Sequence, residues 1–268
     1  MSQPIPDITA EVLASLLSTK AIGRALLALD STESTNLTAA ELAPVSPHGL
    51  VVVADHQTGG RGRNGHAWFS PPQRNLYFSI LLKPPCPPAI VPQLSIVSAL
   101  SMQSALLSLF PKLPITVKWP NDIWLEGRKL CGILCAMSAI GNATEYAVLG
   151  LGLNINTTQE ELPPELHDTA TSLRIASGEP CDRCRVLAAF LNTFEHDYTQ
   201  WLAAGSLLSF MQRWRQASLL DGHPVTAEHG HDTITGTARG ITSDGQLKLE
   251  TNGTITLISA GDVARLRL

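Results

Sequence analysis

Residues 59–68 read GGRGRNGHAW. Two guanidinium groups, Arg61 and Arg63, stand among Gly59, Gly60, Gly62 and Gly65. A guanidinium holds a carboxylate or phosphate through paired hydrogen bonds. The backbone N–H groups of a glycine-rich turn can cradle the same anion. The stretch is suited to closing over an anionic ligand. It does not fit the dinucleotide-binding fingerprint, because arginines stand where small residues are wanted and no helix pattern follows. KWPND at 118–122 adds a cation (Lys118), an aromatic plane, a turn, an amide (Asn121) and a carboxylate. Asp122 is a type of residue that holds magnesium against phosphates. RKLCGIL at 128–134 sets Lys129 on a strand beside a turn, among small and apolar neighbours, where its charge can offset a developing negative one. Ser34, Thr35 and Asn36 bring hydroxyls and an amide to a helix start. In GLGLNIN at 150–156, Asn154 and Asn156 fall two apart, on one face of a strand, with amides suited to a purine edge. Each feature alone has a plainer explanation: a solvated loop, a turn with Trp119 in the core, a solvated lysine, simple capping, a strand end.

Elements must hold these groups. Leucine and alanine spacing predicts a helix over residues 9–28. Residues 29–42 read as a strand end, a polar turn and a helix start, and 50–57 as a buried strand. A second strand is expected over 75–84 and a helix over 93–110. Residues 115–138 carry dense strand signals with a hairpin turn at Glu126-Gly127. A further strand is expected over 145–156 and helix over 183–217. Strands joined by short turns imply an α+β fold with a mixed or antiparallel sheet, and no parallel βαβ alternation is evident. From Leu219 the texture changes to short β runs split by His229-Gly230, Asp244-Gly245 and Asn252-Gly253. The expected division is therefore 1–217 and 218–268. The second unit is small for independent stability and is expected to pack on the first.

The bulk numbers exclude some classes. Of 268 residues, 44% are hydrophobic, enough for a sizeable core. The net charge of −4 supplies no basic field for DNA. The N-terminal stretch has no basic start before an apolar run, and the apolar stretch 89–110 is broken by proline, glutamines and serines. Neither reads as a secretory signal or a membrane span. Five scattered cysteines do not form a secreted disulfide framework, and Cys181-x-x-Cys184 lacks a second pair for a metal. The cytoplasm is the expected location.

The order and spacing of the pieces resemble the biotin–protein ligases. The carrying segments are STN (34–36), Gln57 before GRGRNG (60–65), WFSP (68–71), NLYFS (75–79), KWPND, KLCGIL (129–134), GLGLNIN, ATSLR (170–174) and Gly261-Asp262-Val263. The resemblance implies a catalytic domain shared with lipoate ligases, followed by a small SH3-like β-barrel. It implies that biotin and ATP, with Mg2+, give biotinyl-5′-AMP, and that a lysine of a biotin carboxyl carrier protein then takes the biotin. By motif, Ser34, Thr35, Asn36, Gln57, Gly60 and Gly132 would bind biotin. Arg61, Arg63 and Lys129 would serve the carboxyl and phosphate. Gly62, Trp68, Lys118, Asn121 and Asn154 would meet the nucleotide, and Asp122 the magnesium. Two positions depart from the family pattern: His66 replaces an arginine and Ala136 a glutamate. Histidine is mostly neutral at pH 7, which implies a weaker or pH-dependent contact to the triphosphate. Fewer than 30 residues precede the resemblance, which with the acidic balance argues against a DNA-binding repressor. The expected state is a monomer or weak homodimer with no membrane partner. A lipoate- or octanoyl-transfer enzyme on the same fold, and a protein that sequesters biotin without reacting, are the rival readings.

Overall fold

The computed structural model describes residues 8–229, 232–259, 261 and 263–265. Helix α1 spans Ala10–Leu16, and strand β1 (Leu26–Thr32) leads through helix α2 (Thr35–Leu42) to β2 (Val51–Gln57). Then come β3 (Leu76–Leu82), α3 (Gln93–Leu109), β4 (Ile115–Lys118), β5 (Asp122–Leu125), β6 (Arg128–Ile140) and β7 (Ala143–Leu153). Helices α4 (Leu173–Ser177), α5 (Arg183–Ala204) and α6 (Met211–Ala217) follow. The chain ends in β8 (Pro224–His229), β9 (Asp232–Ile241), β10 (Leu247–Thr251), β11 (Thr254–Ile258) and β12 (Val263–Arg265).

The first seven strands form one mixed sheet in the order β1-β2-β3-β7-β6-β5-β4. Every residue of β3 is buried, as its near-continuous apolar run LYFSILL requires of a strand covered on both faces. One face carries Phe78, Ile80, Leu149 and Leu151 into the main core. That core is closed by α3 and α5, where Phe78, Phe190, Phe194 and Tyr198 make a file of ring contacts 5.4–5.9 Å apart. On the other face, Val52, Leu81 and Val148 pack against Ala39 and Ala43 of α2 in a smaller cluster. The rest of that second face stays uncovered by helix, and the cavity described below opens there.

Three expectations need correction. The predicted helix over 9–28 ends at Leu16, and LLALDST is a strand. Leucine and alanine favour helix, but β1 pairs in parallel with β2 from Leu26↔Val51 to Thr32↔Gln57, and tertiary pairing overrides the local preference. That pairing makes β1-α2-β2 a parallel βαβ unit, which the sequence pattern did not reveal. The predicted helix over 183–217 is split. Gly205, at φ +63°, takes the left-handed conformation that ends α5, and α6 begins only at Met211. The hairpin turn between β5 and β6 is as expected: Glu126 and Gly127 have φ +52° and +76°, the signs of a type I′ turn.

The C-terminal strands form an antiparallel sheet in the order β11-β10-β9-β8-β12, matching the expected small β module. Asn252-Gly253 turns β10 into β11. The His229-Gly230 turn lies partly outside the described residues. The module does not keep a core of its own: Val225, Ala238, Leu247 and Leu249 belong to the same cluster as the main domain. Trp119 Nε1 donates to the Gly245 carbonyl at 2.8 Å, and Leu219 N–H donates to Val117 O at 2.8 Å.

Candidate active site

The uncovered face of the large sheet has a floor of glycines. Gly132 of β6 pairs with Gly152 of β7, and Gly150 pairs with Ser79 of β3. A side chain on Gly150 would run into Asn36, and one on Gly152 into the indole of Trp68. A Cβ on Gly132 would lie 2.9 Å from the same indole. The bare backbone lets α2 and the 59–68 loop press directly onto the sheet. Between them opens a cavity of about 480 Å3, a size suited to a small-molecule ligand.

One end of the cavity is a polar head pocket. Ser34, Thr35, Asn36 and Gln57 line it. Ser34 precedes α2 but makes no side-chain cap; instead Gln57 Oε1 accepts the Thr35 N–H at 2.9 Å. The simple capping role considered for Ser34 is thus not what the structure shows. Gln57 Nε2 donates to Ser70 Oγ at 3.3 Å, and Ser70 donates to Trp68 O at 3.0 Å. Gly60 does not line the cavity; a Cβ there would meet Ser70 and Trp68 O at 2.7 and 2.8 Å, so its place is in the packing behind the loop.

The loop is a small hairpin. Trp68 N–H donates to Gly60 O, and Gly62 N–H to His66 O, around a short 3-10 turn at Arg63–Gly65. Glu33 anchors its base: Gly59 N–H meets Glu33 O at 2.8 Å, and Arg61 pairs with the Glu33 carboxylate at 2.8 Å. Arg61, Gly62, Arg63, His66 and Trp68 all line the cavity. Arg63 donates to Asn121 Oδ1 and to Gly261 O, each at 3.4 Å, and so touches the C-terminal module. The Trp68 N–H is buried and has no hydrogen-bond partner among the described residues.

The other end is charged. Lys118 and Asp122 are cross-strand partners at the two ends of the KWPND turn. Alternation then puts Lys118, Asp122 and Trp124 on the cavity face and Val117, Ile123 and Leu125 in the core. Lys129 joins them by an irregularity. Ile123 pairs with Cys131 but Trp124 pairs with Lys129, so β6 carries one extra residue, Leu130. This β-bulge turns Lys129 to the cavity, where strict alternation from Gly132 would have sent it to the core. The Lys129 backbone is gripped by the segment before α4: its N–H donates to Thr169 O at 2.8 Å and its carbonyl accepts from Thr171 N–H at 3.0 Å. Lys129 Nζ lies 2.8 Å from Asp122 Oδ1 and 5.6 Å from the Trp68 ring centroid. Lys118 Nζ sits 4.5 Å over the Trp124 ring. Beneath this group, burial and then the Asp122 charge push the Cys131 thiol far up, and nearby Lys129 does not reverse it. Cys131 is a core residue beneath the site and does not line the cavity.

Asn154, just beyond β7, lines the cavity, with its Nδ2 donating to Thr171 O at 3.0 Å. Asn156 does not reach it. Its amide is occupied by Cys181, accepting the backbone N–H at 2.8 Å and donating to the carbonyl at 2.9 Å. The period-two spacing was right, but the chain leaves the sheet after Leu153, and the two asparagines part. Cys181 and Cys184 are free thiols. No group of three or more metal-ligating residues occurs among the described residues, and burial pushes Cys184 up to about 11.

Comparison with known proteins agrees with this geometry. The biotin/lipoate A/B protein ligase family matches residues 28–154, and the biotin protein ligase C-terminal domain matches 222–266. Over 248 residues the chain is 36% identical to the bifunctional ligase/repressor BirA of Bacillus subtilis, covering 92% of this chain and 76% of that one. The biotin–[acetyl-CoA-carboxylase] ligase of Mycobacterium tuberculosis is 34% identical over 82% of this chain and 80% of its own. The chain belongs to the biotin protein ligase family. The biotin protein ligase from Aquifex aeolicus, solved in complex with biotin and ATP, superposes with a TM-score of 0.78 at 30% identity, over 91% of this chain and 100% of that chain.

In this biotin protein ligase fold the two departures have different weight. His66 lines the cavity beside Arg61 and Arg63. Ala136 lies exposed near the far end of β6, opposite Val148, and does not line it. Sequence reasoning missed Trp124, whose stacking with Lys118 follows from strand alternation once the hairpin is recognised. It also missed the wall of Leu162, Leu166, Thr169 and Ala170. Only the ATSLR segment, which begins at Ala170, pointed there.

Proposed function

We propose that this protein activates biotin with ATP to biotinyl-5′-AMP and transfers the biotin to a lysine of a biotin carboxyl carrier domain. The observation that carries the proposal is the continuity of the cavity. A head pocket of hydroxyl and amide groups and a cluster of Arg61, Arg63, Lys118 and Lys129 share one chamber. A ureido ring fits the first and a carboxylate with phosphates the second. A carboxylate oxygen attacks the α-phosphorus, the bond to the β-phosphate breaks, and pyrophosphate leaves. The carrier lysine then attacks the acyl carbon and AMP leaves.

Both reactants of the first step are anions, so fixed positive charge must hold them together. Lys129 would serve the reacting oxygens, Arg61 and Arg63 the carboxyl and phosphate, and Trp68 and Asn154 the adenylate, since all five line the one cavity. Asp122 is a hard oxygen donor beside the cations, which suits a magnesium ion shared with the nucleotide phosphates; the ion would supply charge neutralisation. The loop hairpin, anchored by Glu33 and Gly261, covers the chamber and keeps water from the mixed anhydride. Residues 1–217 would form the catalytic domain and 218–268 a C-terminal module that meets the loop through Gly261 and the cavity through Val263. Five free thiols fit a cytoplasmic setting.

The test is biotin-dependent exchange of labelled pyrophosphate into ATP. Exchange with biotin, and none with lipoate or octanoate, is the expected result. Biotin binding without exchange would instead establish a sequestering protein.

A further inference from the structure

The head pocket is backed by a hydroxyl that does not line the cavity. Ser79, on β3, is fully buried, and its Oγ lies 2.7 Å from Thr35 Oγ1 and 2.6 Å from Asn36 Oδ1. Ser79 has one proton for these two neighbours. Asn36 Oδ1 can only accept. Its amide cannot be turned over without facing its own carbonyl to the Leu134 carbonyl, to which Nδ2 donates at 3.4 Å. Ser79 therefore donates to Asn36, and the short contact to Thr35 needs a proton from Thr35. The competing acceptor for that proton, Gln57 Oε1, is farther at 3.2 Å and already takes the Thr35 N–H at 2.9 Å. Two oxygens 2.7 Å apart with no proton between them would repel, so the closer contact wins.

We propose that Ser79 is a positioning residue that fixes the direction of hydrogen bonding at Thr35. The relay runs from Thr35 O–H to Ser79 Oγ and from Ser79 O–H to Asn36 Oδ1. With its proton turned inward, Thr35 Oγ1 presents only lone pairs to the cavity. The pocket thereby demands an N–H at that point of the ligand and rejects a ring oxygen in its place. This rests on the reading that the head pocket takes a ureido ring. It explains why a serine sits in an otherwise apolar, fully buried strand. It also explains why its cross-strand neighbour is Gly150: a side chain there would expel Asn36, the acceptor that orients the relay.

The experiment compares biotin with its two cyclic carbamate analogues, in each of which one ureido N–H is replaced by oxygen, as substrates for adenylation. In the wild-type protein one carbamate should be weaker than biotin by about thirtyfold, the cost of a buried lone pair left facing another. In Ser79→Ala, Thr35 O–H is free to turn to the ligand. KM for biotin should then rise by about tenfold, and the carbamate penalty should shrink to about threefold. kcat and KM for ATP should not change. Ser79→Thr, which keeps the hydroxyl, should hold the wild-type penalty. If Ser79→Ala does not fold, Ser79→Cys, similar in shape with a weak S–H donor, carries the same comparison. An unchanged carbamate penalty in Ser79→Ala overturns the assignment, as does an equal loss in kcat and both KM values, which would mark a merely structural role. A wild-type protein that does not use biotin overturns the ureido reading itself.

Discussion

Lys129 and Asp122 face each other at 2.8 Å, so the lysine charge is balanced before any substrate arrives. On the proposed function, a ligand carboxylate or phosphate would exchange with Asp122 for that charge, and the exchange would free the aspartate as an oxygen donor. Lys129→Ala is expected to lower kcat for adenylation by about a hundredfold to a thousandfold, the range for losing one fixed group that stabilises developing charge. Lys129→Arg should recover little, because a planar fork does not replace a compact ammonium beside Trp68. Pyrophosphate exchange measures both. Gly152 offers a test of the glycine floor. Gly152→Ala drives a methyl into the Trp68 indole and should weaken binding of ATP, read as a raised KM for ATP, while the far-ultraviolet spectrum stays that of the parent. Normal affinity in that variant would mean that the indole is free to move away.

At the scale of elements, single side chains stitch segments that are distant in sequence. Asn75, at the entry to β3, is 1% exposed. Its Oδ1 accepts from Ile155 N at 2.9 Å, from Asn156 N and Thr157 N at 3.3 Å, and from Thr157 Oγ1 at 2.9 Å. Its Nδ2 donates to Asn154 Oδ1 at 3.4 Å. One amide thus fixes the path of the chain as it leaves β7 and orients the asparagine at the cavity edge. Asn75→Ala strands several buried donors and should cost about 3 kcal/mol, read from urea unfolding. Glu195 of α5 plays a similar part for the segment between α1 and β1. Burial pushes its carboxyl up, but N–H bonds from Ile22, Ala21 and Lys20 outweigh it and, with Arg24, hold the group below its usual value. A lowered carboxylate contributes stability that is fully present above the unfolded value of about 4.3 and fades as pH falls through the folded one. Glu195→Gln should therefore be less stable than the parent at pH 7 and should converge with it in acid. A constant difference across that range would rule out the carboxylate charge as the cause.

At the scale of the molecule, the two sheets share one core. Residues of the C-terminal module and of the large sheet belong to a single apolar cluster, and Trp119 reaches across from the KWPND turn to Gly245. Heat unfolding is expected to be one transition, with tryptophan emission and far-ultraviolet signals coincident; two resolved transitions would show that the module folds separately. Trp119→Phe removes the N–H bond and some packing. It should cost at least about 1 kcal/mol, or about 2–4 °C in Tm for a chain of this size. The same contacts tie the module to the site, since Arg63 reaches Gly261 and Val263 forms part of the cavity wall. No helix among the described residues is long and apolar enough to cross a membrane.

What the sequence determined by itself was the chemistry and its inventory. Cations, hydroxyls, amides and a carboxylate were legible because few residue types can do those jobs, and glycines because their placement is not tolerated by chance. Strand runs such as VVVADHQ and the Glu126-Gly127 turn were legible because their signals are local. The rest depended on partners remote in the chain. Leu26–Thr32 is a strand only because β2 lies beside it. Asn154 and Asn156 share a spacing, but Asn75 and Cys181 decide that one meets the cavity and the other does not. The direction of Lys129 is set by a bulge against β5, and the direction of the Thr35 proton by a serine 44 residues away. Residue types fix which interactions are possible. Only the folded chain, by excluding water and bringing distant groups within hydrogen-bond reach, decides which of them are made.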